Sequence, residues 1–174
     1  MAKRNWKKTS TMPDKALVVA DTSPLLNLAL IDRLDLLETQ FPGIAVPHQV
    51  WGELTAGTDG LEALRKLRGD GVLRVVRVDR SDLFVEVFHD LDLGETAAIC
   101  YAVEHDADLV LLDERDGRRV ARRHDLDVTG VIGILLRGAN VGEVELEAEL
   151  DSLREAGFWI SDDLYSRVLS EAGE

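Results

Sequence analysis

Short apolar runs alternate with longer amphipathic segments along almost the whole chain. Five of these runs predict β-strands, because they are apolar or rich in β-branched residues and are bounded by glycine, proline or polar residues. They cover residues 17–20, 43–46, 73–78, 108–112 and 127–129. The first and fourth runs carry no polar interruption, which predicts central strands buried on both faces. The last run is short and is expected at an edge of the sheet.

Segments with apolar residues at a helical spacing lie between and after these strands. They predict helices over residues 24–30, 33–39, 48–57, 61–68, 95–104, 118–124, 132–137, 143–156 and 162–171. Strands that alternate with helices favour an α/β fold of three layers, α/β/α, in which the sheet is mainly parallel.

Length and composition narrow the class of protein. With 174 residues and 45% hydrophobic content, the chain predicts one domain over residues 16–174, preceded by a basic, flexible arm at residues 1–15. The sequence has no apolar run of the roughly 18–20 residues that cross a bilayer. A single cysteine excludes an internal disulfide and indicates a reducing, cytoplasmic location. The net charge of −13 argues against a surface that coats DNA non-specifically.

Four acidic residues stand where a parallel α/β fold places its active sites. Asp21 and Asp113 end the two apolar strands, and Glu53 and Glu95 are expected near the starts of the helices at 48 and 95. The carboxyl ends of parallel strands face one crevice. Carboxylates crowded there are tolerable only if they share protons or bind cations. Oxygen ligands suit Mg²⁺ or Mn²⁺, and such a site suits phosphodiester hydrolysis.

Two hydroxyl residues could support this site, and each of three of its acids also fits a role outside a site. The hydroxyls of Thr22 and Ser23 are placed to hold the second oxygen of Asp21 or a metal-bound water. Taken singly, Asp21 is equally suited to cap the helix that follows it, and Glu95 to favour a helix dipole. Glu53 alone fits a solvated surface position. The case for a site therefore rests on the combination of the four acids.

Five ordered motifs resemble those of PIN-domain proteins. They read VVADTSPLLNL at 18–28, VPHQVWGEL at 46–54, LGETAAI at 93–99, LLDERDGR at 111–118 and VTGVIGIL at 128–135. The tail LREAGFWIS at 153–161 resembles the ending of a prokaryotic PIN subfamily whose genes often lie beside those of small antitoxins. The resemblance covers nearly the whole chain beyond the arm.

This resemblance implies a five-stranded parallel sheet, Mg²⁺ or Mn²⁺ as cofactor, RNA as substrate and a homodimer. The toxin ribonucleases of the VapC type share the fold, so the chain is expected to be an RNA endonuclease and the toxin of a type II toxin–antitoxin pair. An alternative is a catalytically inactive PIN-fold module that binds RNA or protein. A phosphotransfer domain with a nucleophilic Asp21 would want a second aspartate two residues on, where Ser23 stands.

The family pattern assigns Asp21, Glu53 and Glu95 to its first three acidic places. The fourth place falls on Asp113, which directly ends the strand, with its neighbour Glu114 as second choice and additional metal ligand. Toxin relatives commonly have a threonine or serine near that strand end, but this chain has leucines at 111 and 112.

Arginines and aromatic residues are the remaining candidates for contacts with RNA. Arg118, Arg119 and Arg122 share one predicted helix, where they fit either RNA phosphate contacts or a solvated face paired with acids. The aromatic residues Trp51, Phe158 and Trp159 are assigned to core packing rather than to stacking on bases.

Overall fold

The computed structural model describes residues 12–173, so most of the predicted basic arm lies outside the described residues. A sheet of five parallel strands forms the centre, in the order β3-β2-β1-β4-β5. Its strands are β1 (Val18–Ala20), β2 (Ile44–Pro47), β3 (Leu73–Val76), β4 (Leu109–Leu111) and β5 (Val128–Thr129). The predicted parallel sheet is confirmed, with the short β5 at one edge and the apolar β1 in the middle.

Helices cover both faces of the sheet, which confirms the predicted three-layer arrangement. In the described part of the chain they are α1 (Thr22–Leu30), α2 (Asp35–Gln40), α3 (His48–Ala56), α4 (Leu61–Gly69), α5 (Asp82–Phe88), α6 (Leu93–Glu104), α7 (Arg115–Arg123), α8 (Val131–Asn140), α9 (Leu146–Glu155) and α10 (Asp162–Ala172). Helices α5, α6 and α7 share one core with one face of the sheet. The other helices bury their apolar residues against the opposite face. None of the helices among residues 12–173 is long and apolar enough to cross a membrane.

Two local features differ from the expectations. Helix α5 was not predicted, because seven residues give too little periodicity to recognise. It begins where the Ser81 side chain accepts the N–H of Phe84 at 3.1 Å, and it buries Phe84 and Val87. Glu53 was expected near a helix start, but α3 begins immediately after Pro47, and Glu53 therefore lies in its middle.

The side chains of β1 and β4 alternate between the two cores. Val18 and Ala20 of β1 pack with the first core, whereas Val19 belongs to the core that contains α6. Strand β4 follows the same rule in register, since Val19 pairs with Val110 and Ala20 with Leu111. This alternation decides which way the acidic residue after each strand faces.

Candidate active site

The acids that follow β1 and β4 face opposite layers of the fold. Asp21 lies two residues beyond Val19 and continues its face towards α6, whereas Asp113 lies two residues beyond Leu111 and continues the other face. Leu112, between Leu111 and Asp113, packs in the α6 core. The two strand-end aspartates therefore do not enter the same cluster, although their strands are neighbours.

Asp21 and Glu53 converge on the first turn of α6. A methyl group placed on Gly94 would lie 2.8 Å from Asp21 Oδ1 and 3.1 Å from each carboxylate oxygen of Glu53. Glu95 is the next residue of the helix. The Thr22 hydroxyl donates a hydrogen bond of 2.5 Å to Glu53 Oε2, so Thr22 orients Glu53. Three of the four predicted acids are thus brought together, and the absence of a side chain at position 94 makes room for them.

The electrostatics of this cluster are unfavourable without a cation. Asp21 is only 3% exposed, and burial raises its pKa to about 8, with added repulsion from Asp92, Glu95 and Glu53. A hydrogen bond from the backbone N–H of Thr22 lowers the pKa of Asp21. Although Asp21 occupies the N-cap position of α1, its side chain makes no capping hydrogen bond there. The capping role considered for Asp21 therefore does not account for its buried carboxylate.

Glu95 combines a structural role with a free oxygen. Its backbone N–H donates to Asp92 Oδ1 at 2.8 Å, and its Oε1 accepts the N–H of Asp92 at 3.4 Å, which forms a capping box at the start of α6. Its second oxygen, Oε2, is buried and has no hydrogen-bond partner among the described residues. A methyl group on Gly117 of α7 would overlap that oxygen. Glu95 Oε2 therefore lies in a narrow space and accepts no hydrogen bond from the described residues.

Asp92 is a member of the cluster that the sequence interpretation missed. Burial raises the pKa of Glu95 to about 7, and the charge of Asp92 is the next largest cause, followed at a lower level by that of Glu114. The charge of Asp92 also raises the pKa of Asp21. The signal was present, since an acid three residues before Glu95 is the spacing of a capping box.

Asp113 is held by the opposite layer. Its Oδ2 accepts the side-chain N–H of Asn27 at 2.9 Å, and its Oδ1 accepts the backbone N–H of Val131 at 2.8 Å. Burial raises the pKa of Asp113, whereas these two donors and the charge of Arg118 lower it. The Asp113 carboxylate therefore connects the end of β4 to α1 and to the first turn of α8.

Glu114 follows Asp113 and lines one cavity together with it. Its side chain is exposed, and its charge acts on both Glu95 and Asp113. Glu114 lines a cavity of about 400 Å³ together with Ser23 and Asn27. Ser23 thus lines this cavity together with Glu114.

The three candidate arginines have different surroundings on α7. Arg118 is half-buried, lines a cavity of about 680 Å³, and has its pKa lowered by burial and by the charge of Arg122. Arg119 is exposed and pairs with Asp116 at 3.4 Å. Arg122 is exposed. Arg118 thus lines the same cavity as Asp113.

The donor set fits a hard divalent cation. Carboxylate oxygens of Asp21 and Glu53 approach Gly94, the charges of both residues and of Glu95 interact, and the buried Glu95 Oε2 beside Gly117 lacks a donor. Within residues 12–173, however, no three His, Cys, Asp or Glu side chains already form a ligand group for one ion. The bonds of Thr22 to Glu53 and of Asp92 to Glu95 explain part of this, because both engage oxygens that a cation would use.

Comparison with known proteins agrees with the fold and with the ordered motifs. A family model for the PIN domain matches residues 17–174. A search among curated proteins found no match to the chain. PIN domains are generally nucleases and typically use divalent metal ions. With a match over most of its length, a parallel five-stranded sheet and acids gathered at the start of α6, the chain belongs to the PIN-domain family.

Proposed function

We propose that the protein is an endoribonuclease that hydrolyses phosphodiester bonds with Mg²⁺ or Mn²⁺. The observation that carries the proposal is the convergence of Asp21, Glu53 and Glu95, with one buried oxygen of Glu95 lacking any donor. Such crowding raises carboxyl pKa values unless a cation neutralises it. Membership of the PIN-domain family supports nuclease chemistry in general.

Four side chains would hold the metal: Asp21, Glu53, Glu95 and Glu114. When bound, a divalent ion would lower the pKa of an attacking water and neutralise charge on the phosphate. Thr22 holds Glu53 in position through its 2.5 Å hydrogen bond. The capping box with Asp92 fixes the Glu95 backbone and leaves Oε2 without a hydrogen bond. The fully buried residues of α6 behind Glu95 keep water out from that side.

Glu114, rather than Asp113, takes the fourth acidic place in this proposal. Both oxygens of Asp113 already accept hydrogen bonds from Asn27 and Val131, on the opposite face of the sheet from Asp21. Glu114 is exposed and close enough for its charge to raise the pKa of Glu95. These two differences support assigning the fourth place to Glu114.

The finer part of the proposal is that the enzyme is the cytoplasmic toxin of a type II toxin–antitoxin pair, acting as a homodimer and inhibited by a small antitoxin. The resemblance of residues 153–161 to a subfamily encoded beside antitoxins supports it. Induced expression should then arrest growth, and co-expression of the neighbouring gene should restore it. Normal growth during expression of an active nuclease would remove the toxin role and leave the enzyme.

Cleavage of RNA by the purified protein tests the enzymatic proposal. Labelled single-stranded RNA should be cut in Mg²⁺ or Mn²⁺, and excess EDTA should stop the reaction. A Mn²⁺ titration should show binding in the same concentration range. If neither cleavage nor Mn²⁺ binding is found at millimolar metal, the alternative of an inactive PIN-fold binding module is the correct one.

Gly94→Ala is expected to reduce cleavage by about 100-fold without unfolding the protein. The added methyl would meet Asp21 Oδ1 at 2.8 Å and Glu53 at 3.1 Å, so these flexible carboxylates must move. A displacement of about 1 Å in a catalytic group costs roughly this much. Initial cleavage rates and thermal melting measure the two effects.

Gly52→Ala is the matched control, because it adds a methyl one residue from Glu53 that meets nothing within 4 Å outside its immediate neighbours and the backbone of its own helix. It should retain activity and gain up to about 1 kcal/mol from helix propensity. Equal activity in the two variants would mean that the carboxylates near Gly94 do not take part in cleavage.

Asp113→Ala and Glu114→Ala, made as single variants, should separate an effect on folding stability from an effect on RNA cleavage. Asp113→Ala leaves the N–H groups of Asn27 and Val131 without their acceptor, so unfolding should become easier by about 2–4 kcal/mol. Glu114→Ala should leave the melting temperature nearly unchanged and reduce cleavage by about 10–100-fold. Urea unfolding and cleavage rates distinguish them. The reverse pattern would return the fourth place to Asp113.

A further inference from the structure

Trp159 lies on the surface with 81% of its side chain exposed. The sequence interpretation assigned it to core packing, and for this residue the assignment was wrong. Its neighbours behave as expected, because Phe158 packs against the core and Ile160 is buried. Among the exposed large hydrophobic residues of the described chain, Trp159 stands apart, because the others are at most 47% exposed.

The loop that carries Trp159 is fixed on both sides of the indole. The N–H of Phe158 donates to the carbonyl of Leu153 at 2.9 Å, and the guanidinium of Arg154 donates to the carbonyl of Ile160 at 3.0 Å. The same Arg154 pairs with Asp162 at 3.1 Å and lies over the Tyr165 ring at 4.3 Å. The exposed indole is therefore held by a braced loop, so a partner would meet a nearly preorganised surface.

Two cavities adjoin Trp159, and both also contact Asp113 at the end of β4. The cavity of about 680 Å³ is lined by Trp159, Arg115 and Arg118 among others. The cavity of about 400 Å³ is lined again by Trp159 and Arg115, and by Glu114 at the edge of the carboxylate cluster. The larger cavity is lined by three arginines, Arg115, Arg118 and Arg137, against two acids, Asp113 and Glu171, so it carries an excess of basic residues in a chain of net charge −13.

We propose that Trp159 and Arg115, with Arg118 deeper in the cavity, form a subsite for single-stranded RNA next to the cleavage site. A base stacks on the indole of Trp159, and the arginines contact the phosphates beside it. This inference rests on the proposed nuclease function and specifies its substrate as an unpaired strand. A duplex does not fit the subsite, because its bases are already stacked on one another and unavailable to the indole.

Fluorescence anisotropy with a labelled oligouridine RNA tests the subsite. Glu95→Gln serves as the background, so that RNA is bound but not cut. Adding Trp159→Ala should weaken binding about ten-fold or more, and Trp159→Phe should restore most of it. Phe88→Ala removes another exposed aromatic side chain, on α5, and should leave the affinity unchanged. Duplex RNA should bind the parent and the Trp159→Ala protein equally.

Arg115→Ala separates phosphate contacts from stacking. It should weaken binding and lower the dependence of log affinity on log salt by about 0.7, the value for one phosphate of a single strand. Trp159→Ala should leave that salt slope unchanged. In an otherwise wild-type protein, Trp159→Ala should raise KM with little change in kcat, since stacking acts equally on bound substrate and transition state.

Two results would overturn the subsite. One is an oligouridine affinity of the Trp159→Ala protein equal to that of its parent. The other is a difference in sedimentation mass between the Trp159→Ala protein and its parent while RNA binding stays the same. That result would assign this surface to a contact between protein chains. Wild-type cleavage measured in parallel keeps the two proposals apart. RNA cleavage with no effect of Trp159 removes only the subsite, whereas a Trp159 effect on binding without cleavage removes only the nuclease.

Discussion

Asp21→Asn is expected to abolish RNA cleavage and, at the same time, to make the metal-free protein more stable. Asparagine has nearly the same shape but lacks the charge that a divalent cation requires, so cleavage should fall by about 1,000-fold or more. In the wild type, burial and three neighbouring acids raise the Asp21 pKa to about 8. Removal of that unfavourable carboxyl should increase the free energy of unfolding by roughly 1–4 kcal/mol at pH 8. Cleavage rates and urea unfolding in EDTA measure both changes.

Asp108→Asn is the control for this experiment. Asp108 is an exposed aspartate at the opposite end of β1, where its Oδ2 accepts the N–H of Leu17 at 2.8 Å. Asparagine keeps that acceptor, so both cleavage and stability should remain close to those of the wild type. Undiminished cleavage by Asp21→Asn would remove the proposed site. A lower stability of Asp21→Asn in EDTA would mean that the buried carboxylate supports the fold, contrary to the electrostatic argument.

The second large effect is a loss of stability of the metal-free protein as the pH rises from about 4 to about 8. Asp21 has an ordinary pKa of 3.8 when unfolded and about 8 when folded, and for Glu95 the corresponding values are 4.5 and about 7. Between these limits the folded state holds protons that the unfolded state has released, so a higher pH favours unfolding. Each group contributes at most about 1.4 kcal/mol per pH unit.

Divalent cations should reverse this trend. Binding requires deprotonated carboxylates, so the stabilisation by Mn²⁺ should increase with pH over the same interval. Melting temperatures from pH 5 to 9, in EDTA and in Mn²⁺, would show the two curves diverging. The difference between wild type and Asp21→Asn isolates the contribution of one carboxyl from all other ionisable groups. Equal slopes for these two proteins in EDTA would contradict the raised pKa of Asp21.

The layers and the sheet were predictable because each strand is a distinct apolar run separated by helical segments. The central β1 and the short edge strand β5 stand where the sequence indicated. Helix α5 escaped because it is only seven residues long, and its burial of Phe84 becomes evident only against α6 and the sheet. Tertiary packing, rather than local pattern, defines that helix.

The sequence indicated three acids whose charges the fold brings close together, Asp21, Glu53 and Glu95, but not Asp92 or the orientation of the acids after β4. Strand β4 is apolar on both faces, so its sequence has no alternation to show which way the next side chain points. The choice between Asp113 and Glu114 depends on that orientation. Trp159 was misassigned for a related reason, since FWI looks uniformly apolar although only its first and last residues turn inward.

The division of roles between Asp113 and Glu114 has a consequence for descent within the family. If Glu114 is a metal ligand as proposed, a lineage that loses the acid at position 114 gives up catalysis but keeps the bridge from β4 to Asn27 and Val131. A lineage that loses the acid at position 113 weakens the scaffold before selection can act on any new role. PIN-fold proteins that have lost nuclease activity should therefore retain the acid at position 113 and vary at position 114.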